Sequence, residues 1–175
     1  MAGIRYIRRL WRGLIVADIK IADGALDEVQ MVRMAGANAV TVLGNAPRET
    51  INLFLEACSK YGLISMIDMI GVDDPLKVIR RLRKPPDVVV LHLGRDEEST
   101  RGKLIQYRHV NRIRSKFPVL ISAAGGVDIG RARSAIFNGA NIVVANIIQQ
   151  GGIWRGISAA ADIGKMAQEF LDTIE

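Results

Sequence analysis

Six short runs of β-branched and aliphatic residues recur along this chain, and amphipathic stretches of helical length separate them. The runs are LIVAD (14–18), AVTVL (39–43), ISMIDM (64–69), VVVLHL (88–93), VLISAA (119–124) and IVVAN (142–146). The helical stretches cover 2–11, 25–35, 47–61, 75–83, 106–116, 128–138 and 158–173. The third of these opens with Pro47 in its first turn and stops at Gly62, which suits a C-cap. Strands that are apolar on both faces and alternate with helices build βα units and a parallel sheet.

The units also resemble one another. MAGANAVTVLG (34–44) and FNGANIVVAN (137–146) share a helix end, Gly-Ala-Asn and a strand, and PPDVVVLHLG (85–94) is a looser copy. Repetition of one βα unit favours a (β/α) barrel over a doubly wound sheet. Six strands fall short of a (β/α)8 barrel, so the expected fold is an α/β TIM-type barrel that is incomplete in this chain, without its first two βα units. No Pro/Gly/Ser-rich linker divides the 175 residues, so one barrel domain spans 1–175.

Composition narrows the partners. Apolar residues make up 49% of the chain, a globular proportion, and no apolar run is long enough to span a membrane. The N-terminal MAGIRYIRRLWRGLIVADIK is basic and then apolar, yet its apolar part is too short for a signal-peptide core and runs into charge. A cytoplasmic protein is expected. The single cysteine, Cys58, excludes an internal disulfide framework and a multi-cysteine metal site, and it reads as a small buried side chain. The net charge of +6 is concentrated in RYIRRLWR, IRRLRK and RHVNRIRSK. These look like solvated helix faces, and with aromatics at 5% there are too few to interleave as stacking platforms for nucleic acid. An anionic small substrate explains the basic character equally well.

In a parallel barrel the working face lies at the C-terminal ends of the strands. Asp18 and Lys20 end the first run and Asp23 follows in its loop; Gly44 and Asn45 end the second, Asp68 the third, His92 the fourth, AAGG (123–126) the fifth and Asn146 the sixth. Asp18 and Lys20 are two apart, so on a regular strand both point into the barrel mouth. A lysine between carboxylates stays charged and can stabilise an oxyanion or an enolate. A neighbouring carboxylate can hold a divalent cation, with water and substrate oxygens completing its shell. Gly125 and Gly126 stand between a strand and a helix, where backbone N–H groups can approach a phosphate, and Asp128 stands near the helix start. His92 suits acid–base work. Asp68 either lines the mouth or begins a turn, and His109 reads as a surface residue of a basic helix.

ADIKIAD (17–23) resembles the Asp-x-Lys-x-x-Asp motif of the orotidine 5′-monophosphate decarboxylase suprafamily. The context, at 16–51, 61–75, 85–96 and 121–145, is most similar to its 3-hexulose-6-phosphate synthase branch, including the archaeal forms fused to a formaldehyde-activating domain. The resemblance implies a (β/α)8 barrel, a homodimer with shared active sites, and Mg2+. It implies an aldehyde-lyase that reversibly condenses formaldehyde with the sugar phosphate D-ribulose 5-phosphate through an enediolate. By match to the motif, Asp18 is a metal ligand, Lys20 stabilises the enediolate, and Asp23 reaches into the partner's site. His92 moves protons, and Gly125 and Gly126 hold the phosphate. The family's opening two βα units, with an acidic metal ligand, have no counterpart here. Leu93 follows the histidine where arginine is common. The last strand ends Ala145-Asn146 instead of Gly-Arg, which replaces a guanidinium at the phosphate by the amide of Asn146. Alternatives are a decarboxylase of orotidine 5′-monophosphate or 3-keto-L-gulonate 6-phosphate, and a non-catalytic barrel that binds a phosphorylated ligand. Open sheet edges beside the first and last runs are expected to drive association into an oligomer.

Overall fold

The apolar runs lie side by side in chain order, and all are parallel. The computed structural model describes residues 1–98, 100, 102–149, 155–159 and 162–174. The sheet consists of β1 (Val16–Ile21), β2 (Ala39–Leu43), β3 (Ile64–Asp68), β4 (Val88–His92), β5 (Leu120–Ala124) and β6 (Ile142–Val143). Helix α1 (Ala2–Leu10) precedes it. Helices α2 (Ala25–Ala35), α3 (Arg48–Tyr61) and α4 (Pro75–Arg80) follow the first three strands. The one-turn α5 (Arg95–Glu98) and α6 (Arg108–Arg114) follow β4, and α7 (Ile129–Phe137) follows β5. A separate parallel pair, β7 (Ile147–Ile148) and β8 (Ile157–Ser158), leads to α8 (Ile163–Ile174). This is the TIM-like α/β architecture expected of the repeats.

Alternation within the strands sorts the core into two layers. Val40, Val42, Ile67, Val89, Leu91, Ile121 and Ala123 face the helices and pack with Val29, Phe54, Leu55, Ile79 and Ile113 in one buried cluster. Each of these side chains except that of Ala123 contributes about 1.5–3 kcal/mol by leaving water. The opposite face of the sheet carries a smaller cluster of Ala39, Met66, Val88, Val90 and Ala124, joined by Ile142. Capping agrees with the sequence. Asp128 and Asp74 accept the N–H groups of Arg131 and Lys77 at the starts of α7 and α4, and Gly62 closes α3 in the left-handed region. Helix α1 is tied down by Arg8, which donates to the carbonyl of Gly36 at 2.8 Å and to Asn38 Oδ1 at 2.5 Å.

Besides the unforeseen one-turn α5 and shorter α4 and α6, three elements differ from the sequence reading near the strand ends and the C-terminal segment. The first strand runs Val16–Ile21 rather than 14–18, so Asp18 and Lys20 lie within it. Its pairing slips: Ala17 faces Val40, whereas Ile21 faces Val42. The extra residues bulge out, with Lys20 at φ +50°, the one positive-φ non-glycine residue among those described. The sixth run pairs only through Ile142 and Val143, and Ile147–Ile148 turn away to a second, two-stranded sheet. The helix expected from 158 begins at Ile163, because Ile157 and Ser158 are occupied in that sheet.

His109 is a correction. It is 2% exposed, packed inward with Val110 and Ile113 while Arg108 and Arg112 lie one turn apart on the other side of α6. Burial first, then the charges of Arg108 and Arg112, hold its pKa below the usual histidine value against the opposing pull of Asp74. The folded protein therefore prefers neutral His109 while the unfolded chain takes the proton. Stability is expected to decline by up to about 1.4 kcal/mol per pH unit as pH falls below about 6.5, levelling off at the lower folded value. Denaturant melts between neutral and mildly acid pH should show this slope, and His109→Leu should lack it. Cys58 conforms to expectation: burial, aided by Asp87 and opposed by Lys84, pushes its thiol up to about 12, so it is inert at neutral pH.

Candidate active site

The polar groups of the strand ends meet in one chain of contacts. Lys20 Nζ lies 2.6 Å from Asp18 Oδ2 and 3.2 Å from Asp68 Oδ2. Asp68 in turn lies 2.9 Å from His92 Nδ1. Thr41 on β2 donates its hydroxyl to Asp18 Oδ1 at 2.9 Å and accepts the Lys20 backbone N–H at 3.0 Å. The β1 bulge makes this possible. Its twist turns the Lys20 backbone toward Thr41, and the side chain curls back to Asp18. The two charges meet, though not by simple strand alternation.

Asp68 is the hub, buried to 2% exposure. Burial alone would push its pKa up. The hydrogen bond and charge of His92, the N–H of Ile70 at 2.9 Å and the charge of Lys20 outweigh that and hold it below the usual carboxylate range. Lys20 behaves in the same way with opposite sign. Burial pulls its pKa down, but the hydrogen bond to Asp18 and the charges of Asp68 and Asp18 leave it raised. Both groups are therefore ionised at neutral pH. An ionised Asp68 only accepts, so the facing Nδ1 of His92 carries a proton, which leaves Nε2 as the ring nitrogen not engaged by Asp68.

Asp18, Thr41, Asp68 and His92 line a cavity of about 610 Å3 against the inner face of the sheet, a volume suited to a small metabolite, and Lys20 is tied to it through Asp18 and Asp68. Its floor is apolar, with Val16, Met66, Val88 and Leu120, while Asp18, Asp68, His92, Gly125 and Asn146 stand toward the strand ends. Gly125 has φ +97°, and a Cβ there would lie 2.0 Å from the Leu93 carbonyl, so only glycine lets β4 and β5 end this close together. Asn45 is exposed and away from the contact chain. Asp23 is also exposed, with no hydrogen bond or ion pair to other described residues. Among the described residues, no three His, Cys, Asp or Glu side chains gather to hold a metal unaided. Asp18 is a hard-oxygen donor at the open mouth, which fits Mg2+ only in the mode where substrate and water supply most of the ligands.

The structure brings Asp18, Lys20 and His92, all expected at the strand ends, together through Asp68. The sequence reading leaves Asp68 undecided and misses Thr41. Thr41 was detectable as the one hydroxyl in AVTVL, at an inward position beside the charged run.

A family model described as "Orotidine 5′-phosphate decarboxylase / HUMPS family" matches residues 1–145. The bifunctional enzyme Fae/Hps of Methanothrix thermoacetophila is 32% identical over 179 aligned positions, covering 100% of this chain and 43% of that protein. The chain thus spans less than half the length of the curated relatives it matches. A crystal structure of 3-hexulose-6-phosphate synthase from Salmonella typhimurium superposes with a TM-score of 0.82 at 26% identity, covering 99% of this chain and 79% of that one. A second 3-hexulose-6-phosphate synthase structure gives 0.79 at 27% identity, with 98% and 79% covered. No helix among the described residues is long and apolar enough to cross a membrane.

Proposed function

The chain belongs to the orotidine 5′-phosphate decarboxylase / HUMPS family, and from that premise we propose that it is an aldehyde-lyase of the 3-hexulose-6-phosphate synthase type. The reaction is the reversible condensation of formaldehyde with D-ribulose 5-phosphate. The observation that carries this reading is the unbroken contact chain Asp18–Lys20–Asp68–His92 at the strand ends. The likeness to solved synthases at 26% and 27% identity favours it over decarboxylation.

Each residue then has a task. His92 Nε2 takes the proton from C1 of ribulose 5-phosphate, leaving an enediolate. Lys20, held charged by two carboxylates, stabilises the negative oxygen. C1 bonds to the formaldehyde carbon, and the new alkoxide takes the proton back. Asp68 fixes the His92 tautomer and holds Lys20 in reach. Asp18 is the residue that would hold Mg2+, which when bound neutralises charge on the substrate's oxygens. Gly125 and Gly126 receive the phosphate beside Asn146. Asp23, exposed on its own protomer, completes the site of a second copy in a homodimer or larger oligomer.

The proton-transfer step is testable without formaldehyde. In D2O, the enzyme with Mg2+ is expected to exchange the C1 protons of ribulose 5-phosphate, followed by loss of their proton NMR signals. His92→Gln should slow exchange by roughly a hundredfold or more. Wild-type protein that leaves the C1 protons in place would remove the reading.

A further inference from the structure

Beyond the end of β5 the chain builds an anion cradle. Gly125 and Gly126 turn toward α7 with φ of +97° and +57°. Arg131, in the first turn of α7, donates Nη1 back to the Gly126 carbonyl at 3.0 Å. Asp128 caps the helix through Oδ1, and its other oxygen lies 3.2 Å from Arg155 Nη1. Arg155 arrives there because its segment folds back onto Asn146. Ile157 N–H donates to the Asn146 carbonyl at 2.7 Å, and Gly156 comes so near that a Cβ would lie 2.2 Å from that oxygen. Asn146 and Gly125 line the same cavity. Two guanidinium groups, a glycine turn and a helix N-terminus therefore converge, an arrangement that favours an anion.

An anion of the protein's own is already pressed against this cradle. Glu98 Oε2 is buried without a hydrogen-bond partner. It lies 2.7 Å from the point where Gly126 would carry a Cβ, and Arg131 Nη1 lies 3.0 Å from the same point. A buried carboxylate oxygen without a donor is costly, so its position is imposed by the short helix α5, not by bonds of its own. Ser122 Oγ, fully buried and also without a partner, lines the same cavity and waits for an acceptor or donor.

We propose that Glu98 occupies the cradle in the free protein as a stand-in for phosphate, that a sugar phosphate enters by displacing it, and that Arg155 supplies the guanidinium absent at Asn146. This rests on the sugar-phosphate reading above. A phosphate dianion carries more charge than one carboxylate and offers three acceptor oxygens to donors that Glu98 leaves unused. Arg155 lies beyond the matched 1–145 segment, which is why motif comparison leaves it unassigned.

The test is calorimetric titration with inorganic phosphate of wild type, Glu98→Gln, Arg155→Met and Arg155→Lys, each checked for wild-type-like circular dichroism. Glu98→Gln is expected to bind phosphate roughly threefold to tenfold tighter, Arg155→Met roughly tenfold weaker, and Arg155→Lys in between. Opposite shifts cannot come from a general loss of folding. Phosphate binding no tighter in Glu98→Gln, or unchanged in Arg155→Met, overturns the proposal. If both shifts occur in a protein that does not exchange the C1 protons of ribulose 5-phosphate, the cradle stands and the lyase reading falls. Normal exchange with phosphate affinity unmoved by either substitution overturns the cradle alone.

Discussion

Lys20→Ala is expected to lower kcat/KM for condensation by roughly three orders of magnitude, because it removes the ammonium proposed to stabilise the developing enediolate. Two carboxylates hold that ammonium, at 2.6 and 3.2 Å, so no other side chain in the contact chain can take its place. The loss should fall on kcat rather than on binding, since the charge matters most when the oxyanion forms. The position also carries strain, with Lys20 at φ +50°. Alanine keeps a Cβ and keeps that strain, while glycine removes it. Lys20→Gly should therefore be more stable than Lys20→Ala by about 1 kcal/mol, a Tm difference of roughly 3 °C, with activity equally lost. Separating activity from stability in this way marks the strain as serving the chemistry.

Asp68→Asn is expected to reduce both stability and turnover. Asp68 is buried, and Lys20, His92 and the Ile70 N–H all depend on its charge. Leaving a half-buried ammonium short of a partner costs about 3 kcal/mol, or a Tm lowered by roughly 10 °C. His92 also loses the anion that keeps Nδ1 protonated, so kcat should fall by roughly two to four orders of magnitude. The acid limb gives an independent check. The folded pKa of Asp68 is depressed, so its contribution is fully present above the unfolded value of about 4 and disappears as pH falls through the lower folded value. Thermal melts of wild type should show this acid loss, and Asp68→Asn should show less of it.

The βα alternation, the barrel-type sheet and the Asp18, Lys20 and His92 positions were legible because each depends on local pattern: apolar runs, their spacing and the charges at their ends. The β1 bulge was not, because register depends on which β2 residue each β1 residue faces, and Ile21 opposite Val42 leaves no mark in either run alone. Asp68 could not be assigned because its role depends on His92, 24 residues away. His109 was misplaced because the arginines around it dominate the composition of α6, while burial depends on which side of the helix meets the core. Glu98 ends the one-turn α5 after β4, and Arg155 lies just before β8. Only the folded chain brings them to the one glycine turn.

The central claim is that the Asp18–Lys20–Asp68–His92 chain joins formaldehyde to ribulose 5-phosphate. Its most direct measurement is 13C NMR of the protein with 13C-formaldehyde, ribulose 5-phosphate and Mg2+. The label is predicted to appear in a hydroxymethyl carbon newly bonded to the sugar, in a six-carbon ketose phosphate, with wild type and not with Lys20→Ala. Folded wild-type protein that leaves all the label in formaldehyde, or Lys20→Ala that forms the product at the wild-type rate, would contradict it.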